Sequence, residues 1–249
     1  MTTIDITPVD ARPIRIGVSS CIIGEEVRWN GGHSRQRYLT DVLERFVEYY
    51  PVCPEVEVGM GVPRPTVRLV RVADELRMID PKNEVDWTAS MNRFSRHRAS
   101  ELADLDLCGF VLKKDSPTCG VSRVKVHHET GSSSSRDGQG LFATALEQRY
   151  PHLPLEEDGR LNDPRLRENF IERLFAYRRW KDFLASNPRV GDLVAFHSAN
   201  KMTLHSHHPQ KYRALGAVVA GAGKADLESL LEEYGVAYMD ILRHKATRK

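Results

Sequence analysis

Apolar and polar positions follow two different regimes along the chain. Ile14-Arg15-Ile16-Gly17-Val18 is a short apolar run entering a tight turn at Ser19-Ser20-Cys21, which predicts a buried strand. Over 40–49, Val42, Leu43, Phe46 and Val47 fall at helical spacing and predict a helix. Pro51-Val52-Cys53-Pro54-Glu55 reads as a strand end, because its two prolines exclude a helix interior. A helix over 91–105, a strand over 107–112, a weaker strand over 123–128 and a helix over 141–150 follow. This alternation predicts an α/β domain with an open, largely parallel, Rossmann-like sheet. Ligands of such sheets bind beyond the carboxyl ends of the strands, where three of the four cysteines fall. Gly131-Ser132-Ser133-Ser134-Ser135-Arg136-Asp137-Gly138 is polar and Gly/Ser-rich, and reads as a flexible surface loop.

Beyond 151–158 the strand signals stop. Asp163-Pro164 is a helix start, with Asp as N-cap and Pro in the first turn. Leu166, Phe170, Ile171, Leu174, Phe175 and Leu184 then keep helical spacing, and helical segments continue over 190–198, 210–220 and 225–243. The pattern predicts two domains, an α/β domain over 1–158 and an all-α domain over 159–249. The last helix leads into Arg243, His244, Lys245, Arg248 and Lys249 with no evident C-cap, so the second domain is expected to stop short of its natural end.

Composition adds little until the chain is divided. The 249 residues are 41% hydrophobic and 28% charged, which is ordinary for a globular protein and excludes wholesale disorder. No apolar run approaches the roughly 18–20 residues that span a bilayer, and the N-terminus lacks the basic-then-apolar pattern of a secretory signal. A cytoplasmic protein with no membrane partner is expected. The net charge of +2 hides a split: 160–249 carry 16 Lys+Arg against 10 Asp+Glu (+6), and the remainder carries 20 against 24 (−4). A basic, His-rich second part hints at a polyanionic partner.

Four cysteines are too few for a disulfide scaffold in a chain of this length. Cys21, Cys53 and Cys119 sit in tight turn settings, whereas Cys108 lies in an apolar strand as a small core residue. The wide separations match neither a contiguous ferredoxin run nor a zinc knuckle. Three loops at one sheet edge can nevertheless converge. Spacing alone leaves an iron–sulfur cluster, a zinc site and three unrelated thiols open. Taken alone, Glu55 is a surface carboxylate or an ion-pair partner of Arg64.

Three motifs narrow this. Cys21-Ile22-Ile23-Gly24 with Val27-Arg28-Trp29-Asn30-Gly31-Gly32-His33, Val52-Cys53-Pro54-Glu55 with Gly61-Val62-Pro63-Arg64-Pro65, and Lys113-Lys114-Asp115-Ser116-Pro117-Thr118-Cys119-Gly120 resemble the thiouracil desulfidase (TudS-like) family over about residues 14–150. Thr118 stands where that family commonly has Ser. Phe175-Ala176-Tyr177-Arg178-Arg179-Trp180, Phe196-His197-Ser198-Ala199-Asn200-Lys201 and His205-Ser206-His207-His208-Pro209 resemble a YbgA-like helical domain. The combination is similar to bacterial tRNA 4-thiouridine desulfidases (RudS-like). The resemblance implies a 4Fe-4S cluster on Cys21, Cys53 and Cys119, with one iron free of protein ligands to take the substrate sulfur. It also implies catalytic roles for Glu55 as acid/base and Ser116 as hydrogen-bond donor or proton relay.

The implied substrate is tRNA carrying 4-thiouridine, converted to uridine. The alternatives are desulfuration of free thiouracil bases, and a non-catalytic cluster-bearing RNA-binding or redox-sensing protein. Candidate RNA contacts are Lys113 and Lys114 beside the Ser116 motif, and Arg178, Arg179, Lys201, His205 and His207 in the helical domain. His-x-His-His-Pro lacks the cysteine or carboxylate company of a zinc site, so RNA donors or a helix cap before Pro209 are expected instead. Asn30-Gly31-Gly32-His33 reads as a tight turn with glycine at positive φ, and His33 as a turn residue or an active-site donor. The sequence assigns no sulfur acceptor and no oligomeric state.

Overall fold

The computed structural model describes residues 13–129, 133–221 and 226–247. Residues 1–12, where no secretory signal was expected, Gly131 and Ser132 of the Ser-rich stretch, Ala225, and Arg248 and Lys249 lie outside the described residues. In chain order the first part comprises β1 (Ile14–Ser19), β2 (Val47–Val52), α1 (Pro54–Glu57), β3 (Arg68–Val72), β4 (Glu75–Asp80), β5 (Val85–Asp86) and α2 (Thr88–Glu101). It continues with β6 (Gly109–Leu112), β7 (Val124–His128), β8 (Ser134–Gly138), α3 (Leu141–Arg149) and β9 (Leu155–Glu157). The second part is helical: α4 (Pro164–Ala185), α5 (Val190–Ala199), α6 (Lys201–His207), α7 (Pro209–Ala220) and α8 (Leu227–Arg243).

The central sheet runs β2-β1-β6-β9 and is parallel throughout. Its central strands β1 and β6 are buried on both faces, as parallel sheets require, while the edge strand β2 is largely exposed. Along β6, Val111 joins Ile16, Val18 and Leu174 on one side, while Phe110 and Leu112 join Phe142 and Leu146 on the other. The helix expected over 40–49 does not form. The chain makes a π turn (Tyr38–Val42) and a 3-10 turn (Leu43–Arg45), then pairs from Val47 onward with β1. Only Leu39 and Leu43 of this stretch are buried, and Phe46 stays 67% exposed. Pairing with a buried parallel strand outweighs a two-turn helix with one short apolar stripe.

A second sheet, β5-β4-β3-β7-β8, was not legible beyond β7. Its pairs are antiparallel apart from β3 with β7, which is parallel. Leu69, Met78, Val124 and Val126 line its inner face against Met91 of α2 and Leu141 of α3. Part of the expected Ser-rich loop is its edge strand, β8, whose polar side chains suit an edge.

The two parts share α4. Asp163 caps it by accepting from the amides of Arg165 and Leu166, with Pro164 in the first turn, as expected. Phe170 and Leu174 of its first half complete the core beneath the parallel sheet. Ala176 and Trp180 of its second half enter the helical core, where Trp180 meets Phe183, Phe196, Tyr234 and Tyr238. A Cβ on Gly109 would lie 2.2 Å from Leu174 Cδ2, so glycine at the start of β6 is what lets α4 approach. Among the described residues, no helix is long and apolar enough to cross a membrane.

Leu174→Ala should therefore cost about 2–5 kcal/mol and Gly109→Ala about 1–3 kcal/mol in urea denaturation. The double variant should lose less than the sum, because the added methyl enters space the leucine vacated. Strict additivity would contradict the contact.

Candidate functional site

The site is built where the parallel strands end. Cys21 lies in the 3-10 turn after β1, Cys53 caps α1 directly after β2, and Cys119 lies in the loop after β6. All three line one cavity of about 290 Å³ together with Ser19, Trp29, Glu55, Arg64, Ser116 and Thr118. None is in a disulfide. Cys108 is elsewhere, fully buried in the core beside Val111 and Leu161.

Burial dominates the thiols. It pushes Cys21 and Cys119 up to about 12 and also raises Cys53. Cys53 raises Cys21 further, and Cys21 raises Cys119, so the three groups act on one another across the cavity. Opposing donors are already in place: the amides of Val56 and Glu55 point at Cys53, and the hydroxyl of Ser19 at Cys119, with Thr118 Oγ1 3.6 Å from the Cys119 sulfur. Such donors favour a thiolate. Among the described residues, no group of three His, Cys, Asp or Glu side chains could hold a single metal ion. Three thiols lining one cavity, with thiolate-stabilising donors behind two of them, are a donor set of the soft kind that iron–sulfur groups and zinc both accept.

Glu55 sits beside them at the start of α1. Arg64 donates to its Oε2 from both Nε (2.9 Å) and Nη2 (2.6 Å), and from Nη1 to the carbonyls of Val27 (2.9 Å) and Gly61 (3.0 Å). The Arg64 side chain is only 4% exposed and that of Glu55 15%. On the far side, Glu55 Oε1 accepts from Thr118 Oγ1 at 2.9 Å. Ser116 Oγ accepts from the amides of Cys119 (3.1 Å) and Thr118 (3.2 Å), so its own proton is directed to Thr118 Oγ1, 2.8 Å away. The result is a directional chain from Ser116 through Thr118 to Glu55. The ion pair expected from residue type alone is therefore present, and it faces the thiol cavity.

Sequence reasoning placed Cys21, Cys53, Cys119, Glu55 and Ser116 and passed over three supports. Thr118, noted only as a departure from the common Ser, is the middle of the relay. Ser19 accepts from the Lys113 amide at 3.0 Å while donating to Cys119. Asp158 holds Lys113 Nζ at 2.7 Å and the Lys114 amide at 2.8 Å. Its one sequence signal was the acidic run Glu156-Glu157-Asp158, all three buried, at a strand end. Lys114 is exposed at the cavity edge. Gly31 has φ +77°, as the tight turn required, and His33 caps that turn by accepting from the Arg35 amide, away from the thiols.

The helical candidates divide. Arg178 is buried between Asp106 and Asp182, and Lys181 also pairs with Asp106, so these cations fix α4 to the start of β6. His207 is buried, bonding Glu172 through Nε2 at 2.7 Å and the His244 carbonyl through Nδ1. Arg178 and His207 therefore leave the set of RNA contacts. Trp180, His197 and Asn200 are likewise interior, His197 bonding Tyr234 and Asn200 bonding Tyr238. His208 is the cap expected before Pro209, accepting from the Lys211 amide. Arg179, Lys201 and His205 remain exposed.

Arg64→Met leaves the largely enclosed Glu55 carboxylate without a counter-charge and should cost about 3–5 kcal/mol. Arg15→Met, at an exposed pair with Glu48, should cost under about 1 kcal/mol in the same urea titration. His207 gives a pH test. Burial lowers its pKa, but the bonds to Glu172 and the His244 carbonyl outweigh burial, so the net shift is upward. A raised folded pKa stabilises fully below the unfolded value near 6.5 and is lost as pH rises through the folded value. The stability gap between wild type and His207→Ala should accordingly shrink as pH rises above about 6.5. A gap that widens would contradict a protonated His207.

The 2-thiouracil desulfurase family model matches residues 16–158, and a family described as a protein of unknown function (DUF1722) matches residues 201–249. The uncharacterized protein YbbK of Bacillus subtilis (strain 168) is 24% identical over 152 residues, 59% of this chain and 97% of that protein. A solved structure of the 4Fe-4S-dependent thiouracil desulfidase TudS is 25% identical, covering 60% of this chain and 94% of its own, with a TM-score of 0.48. With more than half of its length matched, and with the thiol cavity inside the matched region, the chain belongs to the 2-thiouracil desulfurase family.

Proposed function

We propose that the protein is a desulfidase that converts 4-thiouridine in tRNA to uridine, using a 4Fe-4S cluster held by Cys21, Cys53 and Cys119. The observation that carries this reading is the meeting of three buried thiols with the Ser116–Thr118–Glu55 relay on one cavity, in a chain of this family. The chemistry such a cluster supplies is Lewis-acid polarisation of the carbon–sulfur bond and a site for the departing sulfide.

The chain's own residues do the rest. Overall, water adds its oxygen to the thiocarbonyl carbon and sulfur leaves as hydrogen sulfide, with no net oxidation or reduction. Glu55 Oε1 is the acceptor for a proton from the attacking water, and Thr118 and Ser116 supply the path along which a proton moves to or from the ring. Arg64 keeps Glu55 aimed by holding Oε2, so Oε1, which accepts from Thr118, is the oxygen without a cationic partner. A cavity of about 290 Å³ is at the small end for ligand sites, suited to one base rather than an extended ligand. Trp29 lines it while remaining 46% exposed, an aromatic face on which an extruded base can stack.

Anaerobically reconstituted protein should remove sulfur from thiolated tRNA, with the new oxygen drawn from labelled water, as read by nucleoside mass spectrometry. Glu55→Gln should lower kcat about 10²–10⁴-fold while retaining the cluster's visible absorbance. Turnover of free thiouracil with sulfur retained in tRNA would replace the tRNA reading by the free-base alternative. Cluster absorbance without turnover of either substrate would leave the non-catalytic reading.

A further inference from the structure

The second sheet covers its inner face with α2 and α3; on its outer face Val70 is buried, while Arg68 and Lys125 at one end are exposed. Along β3, Leu69 points into the core, so Arg68 projects from the opposite face. Along β7, Val124 and Val126 point inward and Lys125 projects outward in the same way. The two strands are parallel with Leu69 beside Val126, and the same register sets Arg68 beside Lys125. Both are exposed. His127 follows on the same face, next to Val70 and Arg77. Burial, then the charges of Lys125 and Arg68, hold its imidazole below the ordinary value, so both cations act on this face.

Like charges directly across a strand pair destabilise a sheet unless something neutralises them. Three cations around them are neutralised: Arg77 by Glu75 and Asp86, Arg71 by Asp137, and Arg136 by Asp115. Arg68 and Lys125 have no ion pair among the described residues. Their position is also specific. Thr66 and Val67, immediately before β3, line the thiol cavity, and Lys125 follows Cys119 by six residues. Both strands run away from the cavity, so the unneutralised pair stands at the end of the sheet nearest its edge, with Lys114 on the rim. The first part of the chain carries a net charge of −4, so a local cationic face is what a polyanion would need to approach this site.

We propose that the exposed end of the outer face of the second sheet, at Arg68 and Lys125, is the surface on which the RNA backbone lies while its thiolated base occupies the cavity. This rests on the tRNA reading of the function. It places a phosphate-binding surface within the desulfidase domain itself, in addition to any contribution from Arg179, Lys201 and His205. Sheet faces beside a base-accepting site suit extruded or single-stranded nucleotides, because the backbone can follow the strands while a base leaves it.

The test uses the full chain with the double substitution Arg68→Gln/Lys125→Gln, both exposed positions away from the thiols and the relay. Equilibrium binding of tRNA is measured from 50 to 200 mM salt, alongside kcat and KM on thiolated tRNA and on free thiouracil. Loss of two phosphate contacts should weaken tRNA binding at least about tenfold and lower the slope of log K against log salt by about 1–2. KM for thiolated tRNA should rise in proportion with kcat unchanged. Turnover of free thiouracil should also stay unchanged, which reports an intact fold and site. Unchanged tRNA affinity and salt slope would overturn the proposal, as would failure of the wild-type chain to bind tRNA. Equal binding of polyglutamate and tRNA, both lost in the variant, would overturn the assignment to RNA. If wild type binds tRNA through this face but does not desulfurate it, the docking surface stands and the tRNA reading of the reaction falls.

Discussion

The structure of the site depends on one buried ion pair. Arg64 and Glu55 are almost enclosed, and an enclosed charge is tolerable only when its partner and its remaining hydrogen bonds are all satisfied. Arg64 meets that condition by donating to Glu55 and to the Val27 and Gly61 carbonyls, which binds three loops into one wall. Glu55 meets it by accepting from Thr118, which brings in the loop that carries Cys119. The same contacts that satisfy the charges therefore fix the positions of the Cys21 turn, the Cys53 helix cap and the Cys119 loop around the cavity. Positioning of a carboxylate and construction of a thiol site are one constraint here.

That wall needs a rigid base, and the parallel sheet with α4 beneath it supplies one. α4 is also the element that binds the helical part to the first part, through Phe170 and Leu174 below and Trp180 above. Its cations Arg178 and Lys181 lock onto Asp106 at the entry to β6. Arg178, which looks suited to RNA in a linear reading, is thus consumed in joining two cores, whereas Arg179, Lys201 and His205 stay exposed. Arg68 and Lys125, without an ion pair among the described residues, lie on the outer face of the second sheet, in the part of the chain whose summed charge is negative.

The sequence was informative where local chemistry decides and silent where distant contacts do. Asp163-Pro164, the buried run at β1 and the helices over 91–105 and 141–150 carry their own signals, and they form. The stretch over 40–49 was misread because Leu43 and Val47 serve a turn and a strand as well as a helix, and only pairing with β1 separates the two. β3 and β4 were missed because arginines on their outer face break up the apolar signal, leaving few hydrophobic positions to count. In the site, the cysteine loops and Glu55 were legible through their motifs. Thr118 as a relay, Ser19 behind Cys119 and Asp158 beneath Lys113 were not, because each acts through a partner at least 45 residues away in the chain.

The account stands on three cysteines acting together and a fourth standing apart, and iron and sulfide analysis of anaerobically purified variants tests that division most directly. Cys21→Ala, Cys53→Ala and Cys119→Ala should each lose iron and acid-labile sulfide, while Cys108→Ala, whose thiol is packed in the core, should keep the wild-type content. Retention of iron in any of the first three, or loss from all four alike, would contradict it.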